Sequence, residues 1–430
     1  MTQGESGDPT VGKARVTSDP LWRNRDFMLL WTGMTTSAVG SSMSSFIFPI
    51  IGYALTGSPA QAALTGTAHL LGRVLTGLPA GALVDRWNRR TVMAWSTAAG
   101  AALYASLALA IATSQLTLLH LLVVAAATGA ASAFTDPAES AAVRQVVPTH
   151  QLPTALSQTE ARQYAATLIG PPLGGLLYAA ARWAPFVADA ASYLIASLTA
   201  ASMRADLSVP ARTGERTRVG DDIIEGLRFV WSRPFLRAVG LSGMVVNAAV
   251  AGLFLVLTLK LLKAGVPAAL IGVAMSVGSV AGLVGAVLAP TLIRRMPTGR
   301  LVVIAALLIV VGLTPLAFTN NPILVGILLG TAFIGLPALN AGTYSYLIAI
   351  TPDHLQGRVN AGLGFAATAA QPVGPVLGGV LMGWLGAQDA MLVTAVLVIA
   401  GVGLLIANRD VRRLPTPDRW QQSIEESDPR

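Results

Sequence analysis

Cysteine is absent from the 430 residues. A disulfide framework, a thiolate metal site and a cysteine nucleophile are therefore excluded. Charge is also scarce, at 12% of residues, against about 25% in a soluble globular chain. So few charges cannot coat a water-exposed surface of this size. Lysine occurs only as Lys13, Lys260 and Lys263. The histidines His69, His120, His150 and His354 form no ligand-like grouping, and there is no HExxH motif and no paired catalytic carboxylate signature. Gly12-Lys13 runs into Ala14 without strand context, so there is no Walker loop. These absences point away from an enzyme, and neither a cofactor nor a metal is expected.

What remains is apolar. Hydrophobic residues make up 53% of the chain, mean hydropathy is +0.62, and 43 residues are glycine, which suits close-packed membrane helices. About 20 apolar residues cross a bilayer as a helix. Stretches of that kind lie near 27–54, 60–84, 91–113, 116–135, 154–180, 184–203, 238–262, 267–290, 300–318, 322–348, 358–384 and 389–408. The sequence thus predicts an all-α membrane protein of twelve transmembrane helices.

Charge placement orients it. Of the 29 Lys and Arg, 24 fall on the side of the two tails. Arg182, Lys260 and Lys263 fall on the opposite side, while Arg73 and Arg162 lie within spans. This asymmetry predicts both termini in the cytoplasm. It also accounts for the net charge of +8 without nucleic acid, because the basic residues never cluster with aromatics. The expected organisation is a cytoplasmic tail (1–26, with a polar stretch to Asp19 and no signal peptide), a six-helix bundle (27–204), a cytoplasmic linker (205–237), a second six-helix bundle (238–408) and a cytoplasmic tail (409–430). Within the linker, Asp221–Arg233 sets Ile223, Leu227 and Val230 on one face, an amphipathic helix suited to the inner leaflet.

The halves repeat. VVPTHQL at Pro148 pairs with ITPDHLQ at Pro352, GPPLGG at Gly170 with GPVLGG at Gly374, and GALVDRWNRR at Gly81 with GAVLAPTLIRR at Gly285. All three pairs share one offset of 204 residues. Chance likeness between apolar segments does not keep a constant register. The chain reads as two six-helix pseudo-repeats, the layout of transporters with a site between two halves.

Over residues 20–410 the chain resembles a major facilitator superfamily transporter, and within it the bacterial macrolide-type drug and siderophore exporters. The stretches that carry the likeness are FTDPAESAAVRQVVP, GPPLGGLLY, FVADAASYL and GLRFVWSRPFLR. The resemblance implies a cytoplasmic gate in the turn Gly81-Ala82-Leu83-Val84-Asp85-Arg86-Trp87-Asn88-Arg89-Arg90, with Asn88 at a position the family fills with Gly. Gly81 lets a neighbouring helix approach. Asp85 suits the positive end of a facing helix, which the family pattern places near Gly357. Arg86, Arg89 and Arg90 can pair with carboxylates or lipid phosphates, or simply anchor topology. In the second copy Ala289 replaces the Asp. Gly170, Pro171 and Gly174 in span 5, and Gly374, Pro375 and Gly378 in span 11, read as bends, or as ordinary small-residue packing. The Arg that the best-known drug exporters carry in span 4 is missing from Val123–Gly129, so their proton mechanism does not transfer.

Ionisable groups inside spans are costly unless used or paired. Arg73 lies 12 residues before Asp85, about 18 Å along a helix, with His69 one turn away. It reads as a contact for an anionic or polar substrate, as the partner of a coupling carboxylate, or as a structural ion pair. Asp136, Glu139, Glu160 and Asp189 are the carboxylates open to proton coupling. Asp136-Pro137-Ala138-Glu139 also reads as a helix start with a capping-box Glu. Glu160 and Arg162 suit a gate near the tail side, and Asp189 reads equally as a cap or an outer gating group. His120 reads as interfacial. The family fold implies that spans 1, 4, 7 and 10 line the cavity. Polar stripes there are Ser37, Ser41, Ser44 and Ser45, then Thr128, Ser132 and Thr135, with Asn247, Asn340 and Tyr344 further on, and Gln371 in span 11. Neutral polar stripes on apolar walls suit an amphipathic organic solute. The expectation is a secondary exporter in the bacterial inner membrane, with the lipid bilayer, a small organic substrate and protons as its partners and no obligate protein partner. The alternatives are uptake of an organic anion guided by Arg73, or a non-transporting membrane sensor.

Overall fold

The computed structural model describes residues 20–208, 228–351, 353–416 and 420. The expected tail Met1–Asp19, the first seven residues of the expected amphipathic helix and most of the C-terminal tail lie outside the described residues. Residues 228–232 are helical.

The first half consists of α1 (Arg25–Thr56), α2 (Pro59–Val84), α3 (Arg89–Ala112), α4 (Leu118–Val146), α5 (Leu152–Ala180) and α6 (Ala184–Ala201). The second consists of α7 (Pro234–Lys263), α8 (Ala268–Arg295), α9 (Thr298–Leu313, continued by a 3-10 turn), α10 (Pro322–Phe333), α11 (Leu336–Ile350), α12 (Asp353–Ala369), α13 (Val373–Leu385) and α14 (Ala387–Ala407), with the short α15 (Arg409–Arg412) behind it. No strand occurs among the described residues. Local chemistry sets the ends. Asn24, Ser58, Asn88, Thr117 and Asn321 each accept a backbone N–H as N-caps, and Pro59, Pro234 and Pro322 occupy first-turn positions whose N–H has no helical partner. Gly57 closes α1 at φ 65°, a left-handed turn that only glycine adopts without strain.

Several elements differ from the sequence reading. Span 10 is two helices, α10 and α11, separated at Ile334–Gly335, and span 11 is α12 and α13, separated at residues 370–372. Helix α4 continues through Pro137 to Val146, so Asp136 is not the N-cap its local sequence suggests. Helix interiors tolerate proline in membranes because neighbouring groups satisfy the freed carbonyl. Asn88 stands at the position the family fills with Gly. It is extended, at φ −63°, and caps α3.

Among the described residues, ten helical spans are long and apolar enough to cross a membrane by length and composition alone. Helices α2 and α5, at 26 and 29 residues, complete the twelve. They are more polar because they carry His69 and Arg73, and Glu160 and Arg162, and because each packs on the opposite half, α2 on α13 and α5 on α8.

Those two contacts define the shape. At the end away from the tails the halves are in backbone contact. A Cβ at Gly272 of α8 would strike the Pro171 carbonyl of α5, and one at Gly379 of α13 would strike Ala63 and Pro59 of α2. Ser276 donates to the Leu168 carbonyl at 2.5 Å, and Thr67 to the Pro372 carbonyl at 3.3 Å. Toward the tails, Gly77 and Gly81 of α2 and Gly357 and Gly364 of α12 have open space beside them. The core follows the same division. One apolar cluster runs through both halves at the far end, joining Ile47 and Phe48 to Leu253 and Val256. At the tail end there are two clusters, one around Phe27 and Met93 and one around Phe235 and Val302. The halves are sealed at the far end and parted at the tail end.

Candidate functional site

A cavity of about 820 Å³ lies among α5, α7, α8, α10 and α11. Tyr164, Thr167, Phe254, Ser279, Phe333 and Asn340 line it, and Gly278, Gly282, Ala286 and Ala289 of α8 leave it room. Its wall residues carry no charge, so the chamber favours aromatic and aliphatic surface, with the Asn340 amide as an orienting hydrogen-bond group. Tyr344, one turn from Asn340, is exposed. Asn247 and Gln371, distant in sequence, meet with Nε2 of Gln371 3.4 Å from Oδ1 of Asn247, beside the break between α12 and α13. The aromatic members Tyr164, Phe254 and Phe333 were not singled out from sequence, where nothing separates them from other aromatics in apolar helices.

A charge cluster joins α2, α4 and α5. Arg73 Nη2 lies 2.8 Å from Asp136 Oδ2, with both side chains half exposed at 57% and 52%. Arg162 Nη1 lies 2.5 Å from Glu139 Oε1 in a buried pair, at 6% and 12% exposure. Asp136 and Glu139 are three residues apart on α4 and so share a face. Arg73 reaches Asp136 because α2 and α4 cross in backbone contact: a Cβ at Gly129 would strike the His69 carbonyl, and one at Gly72 the Ala126 carbonyl. His69 Nδ1 is 3.4 Å from Thr128 Oγ1. Glu160 is exposed and sits outside these pairs.

A third assembly lies inside the first half. Asp189, at 0% exposure, accepts hydrogen bonds from Ser44 and, at 3.1 Å, from Ser192. Ser41 and Tyr193 pair at 2.9 Å. The serine stripe of α1 is thereby turned largely onto α6: Ser37 and Ser44 are buried, while Ser45 is exposed. Asp189 is not a helix cap, since α6 begins at Ala184 with Trp183 at its N-cap position. Ser132 bonds the Gly129 carbonyl at 2.7 Å within α4, and Ser96 joins Thr135 at 2.8 Å. His120 bonds Ser106 at 3.0 Å near the far end of α3 and α4.

At the tail-side turn Asp85 and Arg86 are exposed. The Arg89 backbone N–H donates to the Leu207 carbonyl at 3.2 Å, and Arg90 donates to the Ala201 carbonyl, so this turn is tied to the end of α6. Gly170 lies against Ser42 and Met43 of α1, and Gly174 against Met43 and Ile47. Their second-half counterparts do the same on α7: Gly374 against Ala248, and Gly378 against Gly252 and Val256. Pro171 sits within the unbroken α5, whereas Pro375 follows the break before α13.

Among the described residues, twelve spans in two repeated halves, sealed at one end and parted at the other beside an uncharged chamber, define a membrane transporter rather than an enzyme. Comparison with known proteins gives the family. The Major Facilitator Superfamily profile matches residues 30–339, and the chain belongs to that superfamily. It is 28% identical over 368 residues to the multidrug efflux pump Tap of Mycolicibacterium fortuitum, covering 82% of this chain and 88% of that pump. It is 27% identical over 407 residues to the uncharacterized MFS-type transporter YfiS of Bacillus subtilis, covering 90% and 94%. Among solved structures, a bacterial homolog of the human lysosomal transporter Spinster, inward-facing and unoccupied, superposes with a TM-score of 0.71 at 14% identity, covering 90% of this chain and 97% of that one.

Proposed function

We propose that the chain is a proton-coupled exporter of small amphipathic organic compounds, working by alternating access in the bacterial inner membrane with both termini in the cytoplasm. The observation that carries this reading is the uncharged chamber of about 820 Å³ in a molecule closed at its far end and parted at its tail end. A solute enters from the cytoplasm, its apolar body rests on Phe254, Phe333 and Tyr164, and rocking of the halves reverses which end is parted. The multidrug efflux pumps among the relatives support export, and the excess of Arg on the tail side supports the orientation. Uptake of an organic anion guided by Arg73 has less support, because Asp136 already holds that guanidinium.

Everted membrane vesicles test the proposal. With a pH gradient, acidic inside, vesicles containing the protein accumulate ethidium, a planar amphipathic cation, and ethidium addition dissipates part of the gradient. Accumulation that persists after the gradient is collapsed rejects proton coupling, and no accumulation of ethidium or of other amphipathic probes rejects export.

A further inference from the structure

We propose that the tail end of the second half carries a docking surface for anionic phospholipid headgroups. It is built from Arg294, Arg295 and Arg300 around the α8–α9 turn and from Arg409, Arg412 and Arg413 behind α14. This surface goes beyond the export reading and holds whichever solute and ion the protein moves.

The two segments, 294–300 and 409–413, lie far apart in sequence and hold six arginines and one acid, Asp410. The fold lays one on the other. The Gly299 N–H donates to the Leu414 carbonyl at 3.1 Å, and the Thr298 N–H to the Pro415 carbonyl at 3.3 Å. A Cβ at Gly299 would strike the Arg412 carbonyl. Asn408 fixes the start of the second segment by donating to the Pro234 carbonyl at 3.2 Å. Val411 and Leu414 are buried, whereas all six arginines are exposed. Among the described residues none of the six joins an ion pair. Like charges gathered at one end repel, and the first half shows that the fold does not require them. At the repeat's offset of 204 residues, Arg409, Arg412 and Arg413 correspond to Ala205, Ser208 and Val209, and Arg295 and Arg300 to Thr91 and Ser96. The apolar anchor is kept, as Leu207 in one half and Val411 in the other, both 0% exposed.

Position selects the ligand. Helix α8 ends at Arg295, α9 begins at Thr298 and α14 ends at Ala407. The arginines therefore stand where three spans leave the bilayer, at headgroup level. Guanidinium groups bind phosphate oxygens in pairs, and basic clusters at the ends of spans attract anionic lipid. Arg300 also heads a stripe on α9. Ile304, Leu307 and Val311 follow it on the same helical face, and all are exposed. Helix α9 packs on α10, α11 and α14 of its own half, so this outer stripe faces hydrocarbon. From Arg300 to Val311 it runs about 16 Å along the helix, roughly the hydrocarbon depth of one leaflet. A soluble phosphate would use the arginines alone. A phospholipid uses both parts, its phosphate on the guanidinium groups and an acyl chain along Ile304, Leu307 and Val311.

Electron spin resonance of the full-length protein in phosphatidylcholine bilayers tests this without any transported solute. Phosphatidylglycerol or phosphatidylcholine, spin-labelled on an acyl chain, reports the lipid that the protein immobilises. The wild type holds the phosphatidylglycerol label in preference, and added salt weakens the preference. The triple variant Arg409→Gln, Arg412→Gln, Arg413→Gln lowers the relative association constant by at least about fivefold, the share of a single arginine near an anionic surface. No preference in the wild type, or one that the triple variant keeps, overturns the proposal. An equal loss from Arg25→Gln, Arg144→Gln and Arg204→Gln together, three exposed arginines at the tail end of the first half, means that scattered charge suffices and also overturns it. Glycerol 3-phosphate that displaces the label at equal concentration identifies a soluble anion as the occupant instead. A preference that appears only when Glu425, Glu426 and Asp428 are neutralised assigns the surface to the chain's own tail and overturns the lipid. If the triple variant does not fold, Arg295→Gln with Arg300→Gln decides by the same measure.

Discussion

Gly272→Trp cuts ethidium transport about ten- to a hundredfold by disfavouring closure of the far end. The glycine faces the backbone of Pro171 and Pro172 across the α5–α8 contact, where even a Cβ has no room. A carbonyl on a helix cannot swing aside as a side chain does, so the indole must push the two halves apart. Forced overpacking costs about 1–3 kcal/mol. That penalty falls only on the far-sealed arrangement, and so shifts the balance between the two open states by about ten- to a hundredfold. The absence of native cysteine makes the readout clean. A single reporter, Ser276→Cys, lies in the same contact, where the wild-type serine is buried against Leu168. In the Gly272→Trp background it reacts with a membrane-impermeant maleimide from the far side. Continued shielding of that thiol, or normal transport, rejects the role of this contact as the far-side seal.

Arg162→Ala gives the largest loss of stability. The substitution strands Glu139 in a site where both partners are almost fully enclosed. Removing one member of a buried ion pair costs about 3–5 kcal/mol, because the remaining charge has no counter-ion, whereas replacing both by apolar side chains of similar size is often neutral. Thermal unfolding in detergent should therefore show a large fall for Arg162→Ala and near recovery in the double variant Arg162→Met with Glu139→Met. The pair of Arg73 and Asp136 provides the contrast: its side chains are half exposed, so Arg73→Ala costs less than Arg162→Ala. Equal losses at the two sites would mean that enclosure does not set the worth of these pairs.

Much of the architecture was legible in the sequence because it is written in one-dimensional signals. Apolar runs mark spans, and a constant offset between Pro148 and Pro352, Gly170 and Gly374, and Gly81 and Gly285 marks duplication. The family follows from the same stretches. Where three-dimensional neighbours decide, the sequence was silent. Asp136-Pro137-Ala138-Glu139 has the local chemistry of a helix start, yet α4 runs through it, with Arg73 and Arg162 from two other helices holding its carboxylates. The serines of α1 form a stripe on any helical wheel, but only packing reveals that Ser44 meets Asp189, 145 residues later. Asn88 stands where the family has Gly, and only the structure shows its side-chain oxygen serving as a cap. The breaks after Phe333 and Ala369 fall at Gly335 and Pro337 and at Gln371-Pro372, helix breakers that a count of apolar runs passes over.

The closure between the halves consists of glycine backbones, aliphatic side chains and two hydroxyl-to-carbonyl bonds, with no ion pair joining α2 to α13 or α5 to α8 among the described residues. Electrolyte weakens contacts between charges and has nothing to act on here. Opening this end wets hydrocarbon, whose reluctance to meet water is entropic near room temperature and fades in the cold. On the proposed cycle, opening this end is then more sensitive to temperature than to salt.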